Sequence, residues 1–351
     1  MCKMSFMKKY LVILVFINIF ISCQVESKVE NVERSFYVWG NSNFDQSVVD
    51  KLKKEKIKKL YIKYFEVVYS ETMGNFPQDK LSIYKYELQD LDSLQIVPTI
   101  FIKNEIFSYN NESDLDKLAD NIIYLIKKYN KEKLGEISIS DEIQIDCDWT
   151  KATRDKYFYL LKKIKQISNK EISCTLRLYP YKYPKLMGVP PVDKATLMCY
   201  NLIKPLTNKD ENSILDIKQL ALYLDKRRDY PMHLDIALPV FNWTQLYQNN
   251  HFAGLKQIEK SQIETFAKFV KPMWYQVQKD TTINWDDYYR VGDQIKYEDV
   301  SSKTIQEAIQ LIKKNIQLDQ KTTITLFSLD NGTFNKYKDE EISSFYDSFT
   351  K

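Results

Sequence analysis

The sequence predicts an α/β fold, a (β/α)8 TIM barrel with a long insertion after the seventh strand, and three observations carry that expectation. Eight short runs rich in β-branched and aromatic residues alternate with amphipathic stretches of helical period. Alternation of this kind argues for parallel strands, and eight strand–helix units are the number that closes the ring. Strand parity then separates an apolar face from a polar one, as a sheet covered by helices on its outside requires.

The eight runs occupy 36–39, 60–65, 96–102, 143–148, 172–179, 196–200, 233–241 and 323–329. Helical patterns lie at 48–57, 81–91, 115–129, 154–167, 214–226, 304–316 and 340–349. Between the fifth and sixth runs, Pro-rich sequence around 180–191 stands where a barrel helix is due. The stretch 244–303 exceeds a normal loop and is expected to carry its own structure on the catalytic rim. Within it, 291–297 reads as a turn into a short extra strand. On the fourth run Gln144, Asp146 and Asp148 share one face, against Ile143, Ile145 and Cys147. In the same way Thr175, Arg177 and Tyr179 oppose Cys174, Leu176 and Leu178, and Met198 and Tyr200 oppose Leu197 and Cys199. His233, Asp235 and Ala237 oppose Leu234, Ile236 and Leu238. The polar faces converge inside the ring, and the three cysteines become inert thiols under the helices.

The first 22 residues read as a targeting segment outside the fold. Lys3, Lys8 and Lys9 precede the apolar run 11–21, which is about half of what a bilayer-spanning helix needs. The run ends at Ser22-Cys23, which resembles the lipobox of bacterial lipoproteins. That resemblance implies acylation of the Cys23 thiol, cleavage before it and a lasting membrane anchor. Phe20 and Ile21 depart from the commoner lipobox residues, and an ordinary cleaved signal peptide is the alternative. Gln24 is not the aspartate that retains some lipoproteins at the inner membrane, so the outer membrane is expected. The polar stretch 23–34 is expected as a tether, and 35–351 as the barrel with its rim insertion.

Scarce glycine (7 of 351 residues) and abundant aromatics indicate a packed globular protein of about 330 mature residues. A net charge of +4, with no basic run interleaved with aromatics, gives no sign of nucleic-acid binding. Cys147, Cys174 and Cys199 have neither metal-knuckle nor disulfide spacing. No cofactor and no metal is implied, and a monomer is expected.

Candidate chemistry gathers where the fourth run meets the rim. Asp146 and Asp148 on one face stand about 7 Å apart along the strand, close enough to couple their ionisation and share a proton as a general acid. Arg177 is the natural counter-charge, and Tyr200 and Asn201 are placed to donate hydrogen bonds to a bound oxygen. Trp39, Trp149 and Trp243 at strand ends offer flat faces for sugar rings. A second catalytic carboxylate would come from Glu66 or Glu105 on the rim. Asp235, deeper in the ring, is expected to pair with Arg177 or Lys63. The structural alternative is that inward aspartates and arginine do no more than satisfy one another.

Ile143-Gln144-Ile145-Asp146-Cys147-Asp148-Trp149-Thr150 resembles the D-G-x-D-x-D-x-E motif of family 18, chitinase-like glycosidases. Leu197-Met198-Cys199-Tyr200-Asn201 is similar to their M-x-Y-D, Ile236 to Phe241 to their G-L-P-x-Y, and Leu326 to Asp330 to their last strand. The resemblance implies supporting roles for Asp146 and Asp148 and a substrate-positioning role for Tyr200. It breaks at the acid–base glutamate, where Thr150 stands, and at the sixth-strand aspartate, where Asn201 stands. Threonine cannot protonate a leaving group, so that family's substrate-assisted mechanism does not carry over.

A resemblance over nearly the whole mature chain is to a family of bacterial, often Bacteroidetes, lipoproteins with a predicted barrel fold. It runs through Phe36-Tyr37-Val38-Trp39, the stretches 61–67 and 144–150, Gly188-Val189-Pro190-Pro191-Val192-Asp193, and Tyr288-Tyr289-Arg290-Val291-Gly292-Asp293. It implies a fold and no activity. Two readings follow: a glycoside hydrolase with reassigned carboxylates, Asp148 foremost and Asp146 tuning it, or a non-catalytic glycan-binding envelope lipoprotein.

Overall fold

The computed structural model describes residues 29–350, apart from 41–43, 89, 92–93, 136–138, 207–209, 228, 284–286 and 330–331. The expected targeting segment, Cys23 and Asp330 lie outside the described residues.

Eight parallel strands close a barrel: β1 (Asn31–Val38), β2 (Lys59–Ser70), β4 (Gln95–Ile102), β5 (Glu142–Asp146), β6 (Glu171–Arg177), β7 (Lys194–Met198), β8 (His233–Pro239) and β16 (Lys321–Phe327). Closure is explicit, because β1 pairs with β16 on one side and β2 on the other, both in parallel register. Each of the eight expected runs is one of these strands. β1 starts at Asn31, inside the stretch expected as tether, and Glu30 and Asn31 donate backbone hydrogen bonds to the Gln320 carbonyl. β2 overruns its expected end to Ser70 and folds back through β3 (Gly74–Gln78) as an antiparallel hairpin, an element beyond the eight expected strands. The helix expected at 81–91 shrinks to Lys85–Leu88 as a result. The chain leaving β3 is drawn along β2, with the Leu81 N–H donating to the Tyr64 carbonyl.

Outside the ring, Glu112–Tyr129, Arg154–Ser168 and Ser302–Asn315 supply the longest covering helices. Glu112–Tyr129 is opened by a reciprocal capping box of Asn111 and Asp114, and Ser302–Asn315 by the Ser301 side chain. Their apolar faces bury the outward residues of the strands in one core, Cys147, Cys174 and Cys199 among them as free thiols. Two short helices, Leu178–Lys182 and Pro184–Met187, replace the missing fifth barrel helix.

The interior is filled in layers, as side chains from neighbouring strands require. At the N-terminal mouth Lys59 stands 2.7 Å from Glu33 and 3.3 Å from Glu142, while Lys194 stands 2.8 Å from Glu142 and 3.3 Å from Asp235. Asp235 also accepts from His233 Nε2 at 3.1 Å and the Thr323 N–H at 2.7 Å. The expected pairing of Asp235 with Arg177 or Lys63 is therefore wrong. Asp235 sits near the start of β8, at the end of the ring away from both. Above that layer the Tyr37 hydroxyl donates to Gln144, whose amide reaches Thr196. The upper layer is aromatic, with Tyr37, Tyr61, Tyr200, Trp39 and Phe327 packed with Val97 and Ala237.

The insertion is a small subdomain with its own core. β9 (Trp243–Gln248), β10 (His251–Lys256), β11 (Ala267–Lys271), β12 (Trp274–Val277) and β15 (Gln294–Glu298) form an antiparallel sheet in the order β10-β9-β15-β12-β11. β13 (Thr281–Ile283) and β14 (Asp287–Tyr289) make a separate hairpin. Leu246, Ile263, Phe266, Val277, Tyr289 and Ile295 pack together in the core of the insertion. The extra strand expected at 291–297 is β15.

Candidate active site

Residues at and beyond the C-terminal ends of β5, β6, β7 and β8 line a cavity of about 680 Å3, within the usual size of small-ligand sites. Its lining includes Asp148, Trp149, Thr150, Lys151, Arg177, Tyr179, Tyr200, Asn201, Lys204, Tyr223 and Trp243. Six of the expected site residues thus converge: Asp148, Trp149, Arg177, Tyr200, Asn201 and Trp243.

Asp146 closes β5 just below this cavity and is 7% exposed. Its Oδ1 accepts a 2.5 Å hydrogen bond from Thr175 Oγ1 on β6. Burial pushes its carboxyl up to about 7; the Thr175 bond opposes the rise, the Asp148 charge adds to it, Arg177 opposes it and Glu66 adds to it. Asp148, two residues beyond, is half exposed and meets Arg177 Nη1 at 3.1 Å. Buried beneath, one carboxyl is held near half-protonation at neutral pH, while the other opens onto the cavity beside a guanidinium.

Glu66 and Trp39 stand apart from that cavity. Glu66, Phe101 and Asp146 are neighbours in register across β2, β4 and β5, which places the Glu66 and Asp146 backbones about 10 Å apart. The Glu66 carboxylate accepts from Lys63 Nζ at 3.0 Å, and Lys63 also pairs with Asp79 and lies 5.4 Å from the Trp39 ring. Trp39 packs against Phe101 and Phe327 and plugs the ring beside β2. Glu105 precedes the short helix Ile106–Tyr109 and is exposed.

The expectation for Trp149 as a sugar platform is corrected. Its indole is 5% exposed and stacks on Tyr157 at 5.2 Å in the outer core. Residue 149 keeps the outward parity of Ile143, Ile145 and Cys147, so the helix Arg154–Ser168 claims the ring and leaves the cavity its edge. Tyr200 is nearly buried and stacks on Phe327 at 5.2 Å, and burial raises its phenol above the usual value. Asn201 has a left-handed backbone (φ 53°), which asparagine tolerates, and its buried Oδ1 finds no hydrogen-bond partner among the described residues. Thr150, on the cavity wall, donates its N–H to Thr153 Oγ1 at 2.9 Å.

Trp243 opens the insertion, and its indole N–H donates to Glu298 Oε2 at 2.8 Å. Glu298 is fully buried, paired with the fully buried Lys296, and also accepts from the Ser213 N–H and Gln245. This anchor went unseen in the sequence, as did Lys151, Tyr179, Lys204 and Tyr223 as cavity residues. The inward parity of Tyr179 was a usable signal; Lys204 carries none, since it sits on a loop, and Tyr223 closes the helix Ile217–Tyr223, whose period does not say that its end meets the cavity.

No protein-family model matches the chain, and no curated protein matches it in sequence. Among solved structures, the spore cortex-lytic enzyme SleL from Bacillus cereus superposes with a TM-score of 0.53 at 14% identity, over 92% of this chain and 74% of that one. The likeness is one of fold. A chitinase from Bacteroides thetaiotaomicron gives a TM-score of 0.52 at 12% identity, over 90% of this chain and 96% of that one. The Group IV chitinase of Ostrinia furnacalis gives 0.51 at 9% identity, over 91% of this chain and the whole of that one. The chain therefore shares the chitinase-like parallel eight-strand barrel.

Proposed function

We propose that this protein is an exported, lipid-anchored, glycoside-hydrolase-like barrel that takes carbohydrate into its rim cavity. The single observation that carries the reading is the cavity itself, bordered by the Asp148–Arg177 pair at the strand ends where barrel enzymes work, with the buried Asp146 two residues before Asp148. The names of the barrel neighbours, chitinases and a spore cortex-lytic enzyme, support a carbohydrate ligand. The anchor through Cys23, an outer-membrane location, a monomeric state and membership of the bacterial lipoprotein family belong to the same reading and rest on the sequence features described above. In a hydrolytic cycle Asp148 is the carboxylate that reaches substrate. Asp146 beneath it holds or releases a proton near neutrality, and Tyr200 and Asn201 offer polar groups to the ligand.

A second reading, glycan binding without hydrolysis, is favoured by one observation. Asp148 is the sole carboxylate among the described residues lining the cavity, and Thr150 supplies no acid. Hydrolysis of an oligosaccharide panel that disappears in Asp148→Asn supports the enzyme. Binding without turnover, unchanged in that variant, supports the second reading. Neither binding nor hydrolysis of any member sinks both.

A further inference from the structure

We propose that the rim cavity selects glycans bearing negative charge, held through the ammonium groups of Lys151 and Lys204. The inference rests on the carbohydrate reading above and narrows it to a class of ligand. Apart from tyrosines, the ionisable groups lining the cavity are Asp148, Lys151, Arg177 and Lys204. Arg177 and Asp148 are committed to each other at 3.1 Å and cancel. Lys151 and Lys204 are exposed, and among the described residues no carboxylate pairs with either. What sets these two apart from the chain's other solvated lysines is their place in the lining of one cavity.

The cavity thus presents two cations in excess beside a neutralised pair. The carboxyl below, at about 7, subtracts at most a fraction of a charge near neutral pH. Flat surfaces from Trp243 and the exposed Tyr179 ring border the same space, so a sugar ring is stacked while its acidic substituent meets an ammonium. A neutral glycan gains the stacking and leaves both cations to water. An acidic one gains short-range attraction that salt weakens over a Debye length of about 8 Å. Carboxylate and sulfate satisfy this chemistry equally.

The test uses the protein from residue 24 onward on an immobilised panel of neutral, uronate-bearing and sulfated oligosaccharides, including oligogalacturonate and its methyl ester. Acidic members are expected to bind about tenfold tighter than their neutral counterparts, with the advantage shrinking between about 0.05 M and about 0.5 M salt. The double substitution Lys151→Gln, Lys204→Gln is expected to erase most of that advantage. Lys268→Gln, on an exposed position of β11, serves as the control that leaves it intact. Whether the bound members carry carboxylate or sulfate identifies the anion. Equal binding of acidic and neutral members, or an advantage that survives the double substitution, overturns the charge selection and leaves the carbohydrate reading standing. No binding to any member overturns both.

Discussion

Replacing Lys296 by methionine removes the ammonium that faces the Glu298 carboxylate at the root of the insertion. Both side chains are fully buried. The Nζ also donates to the Glu211 carbonyl at 2.8 Å, so the substitution strips one backbone acceptor as well. Glu298 keeps neutral donors from Trp243 at 2.8 Å, the Ser213 N–H at 3.1 Å and Gln245 at 3.2 Å, but no other counter-charge among the described residues. Breaking a buried pair from one side costs roughly 3–5 kcal/mol, because the remaining charge is stranded in a medium that solvates it poorly. Against a total stability of about 5–15 kcal/mol that is a large share. At about 2 °C per kcal/mol for a chain this long, Tm should fall by roughly 5–10 °C. Thermal unfolding followed by circular dichroism measures it. The double variant Lys296→Met, Glu298→Gln should recover more than half of the loss, since the stranded charge is gone while the Trp243 acceptor remains. A single-variant Tm within about 2 °C of the parent, or a double variant no better than the single, would refute the claim that this pair holds the insertion to the barrel.

Asp146→Asn should stabilise the protein in alkaline solution. The Asp146 carboxyl is raised from 3.8 to about 7, so the folded state holds a proton that the unfolded state has lost, and stability falls with rising pH between those values. The full penalty is roughly 4 kcal/mol, and the variant's Tm gain should be larger at pH 8 than at pH 5; an equal gain at both would contradict it. His233 behaves in the same sense for a different reason. Hydrogen bonding to Asp235 raises its imidazole above 6.5, burial opposes this, and Asp319 adds to it. Its stabilisation is complete below 6.5 and lost as pH climbs through the raised value, so the Tm difference between the parent and His233→Gln should shrink between about pH 5 and 9. Thr150→Glu places an acid at the cavity wall, and hydrolysis of the oligosaccharide panel should rise at least about a hundredfold, the ordinary contribution of a placed general acid. No gain in that variant would argue that the cavity binds without catalysing.

Periodicity alone determined the ring and which side chains face its interior. A strand turns its side chains over every second residue, so Gln144, Asp146, Thr175 and Arg177 were assigned to the interior, and the three cysteines to the outer core, from short local stretches. Trp149 obeys the same rule, and its loss as a sugar platform follows from parity read one residue further. What periodicity cannot supply is who meets whom once the ring closes. Asp235 finds Lys194 because β7 and β8 run side by side at the N-terminal mouth. Glu66 lies two strands from Asp146 because β4 intervenes, and it belongs to the Lys63 pair outside the cavity. Trp243 is fixed by Glu298, 55 residues on, through an antiparallel pairing of β9 with β15. Lys204 reaches the cavity from a connection with no period at all. Facing direction is set by a residue's immediate neighbours, and the sequence records it. Partnership across the barrel is set by closure, which no local stretch contains.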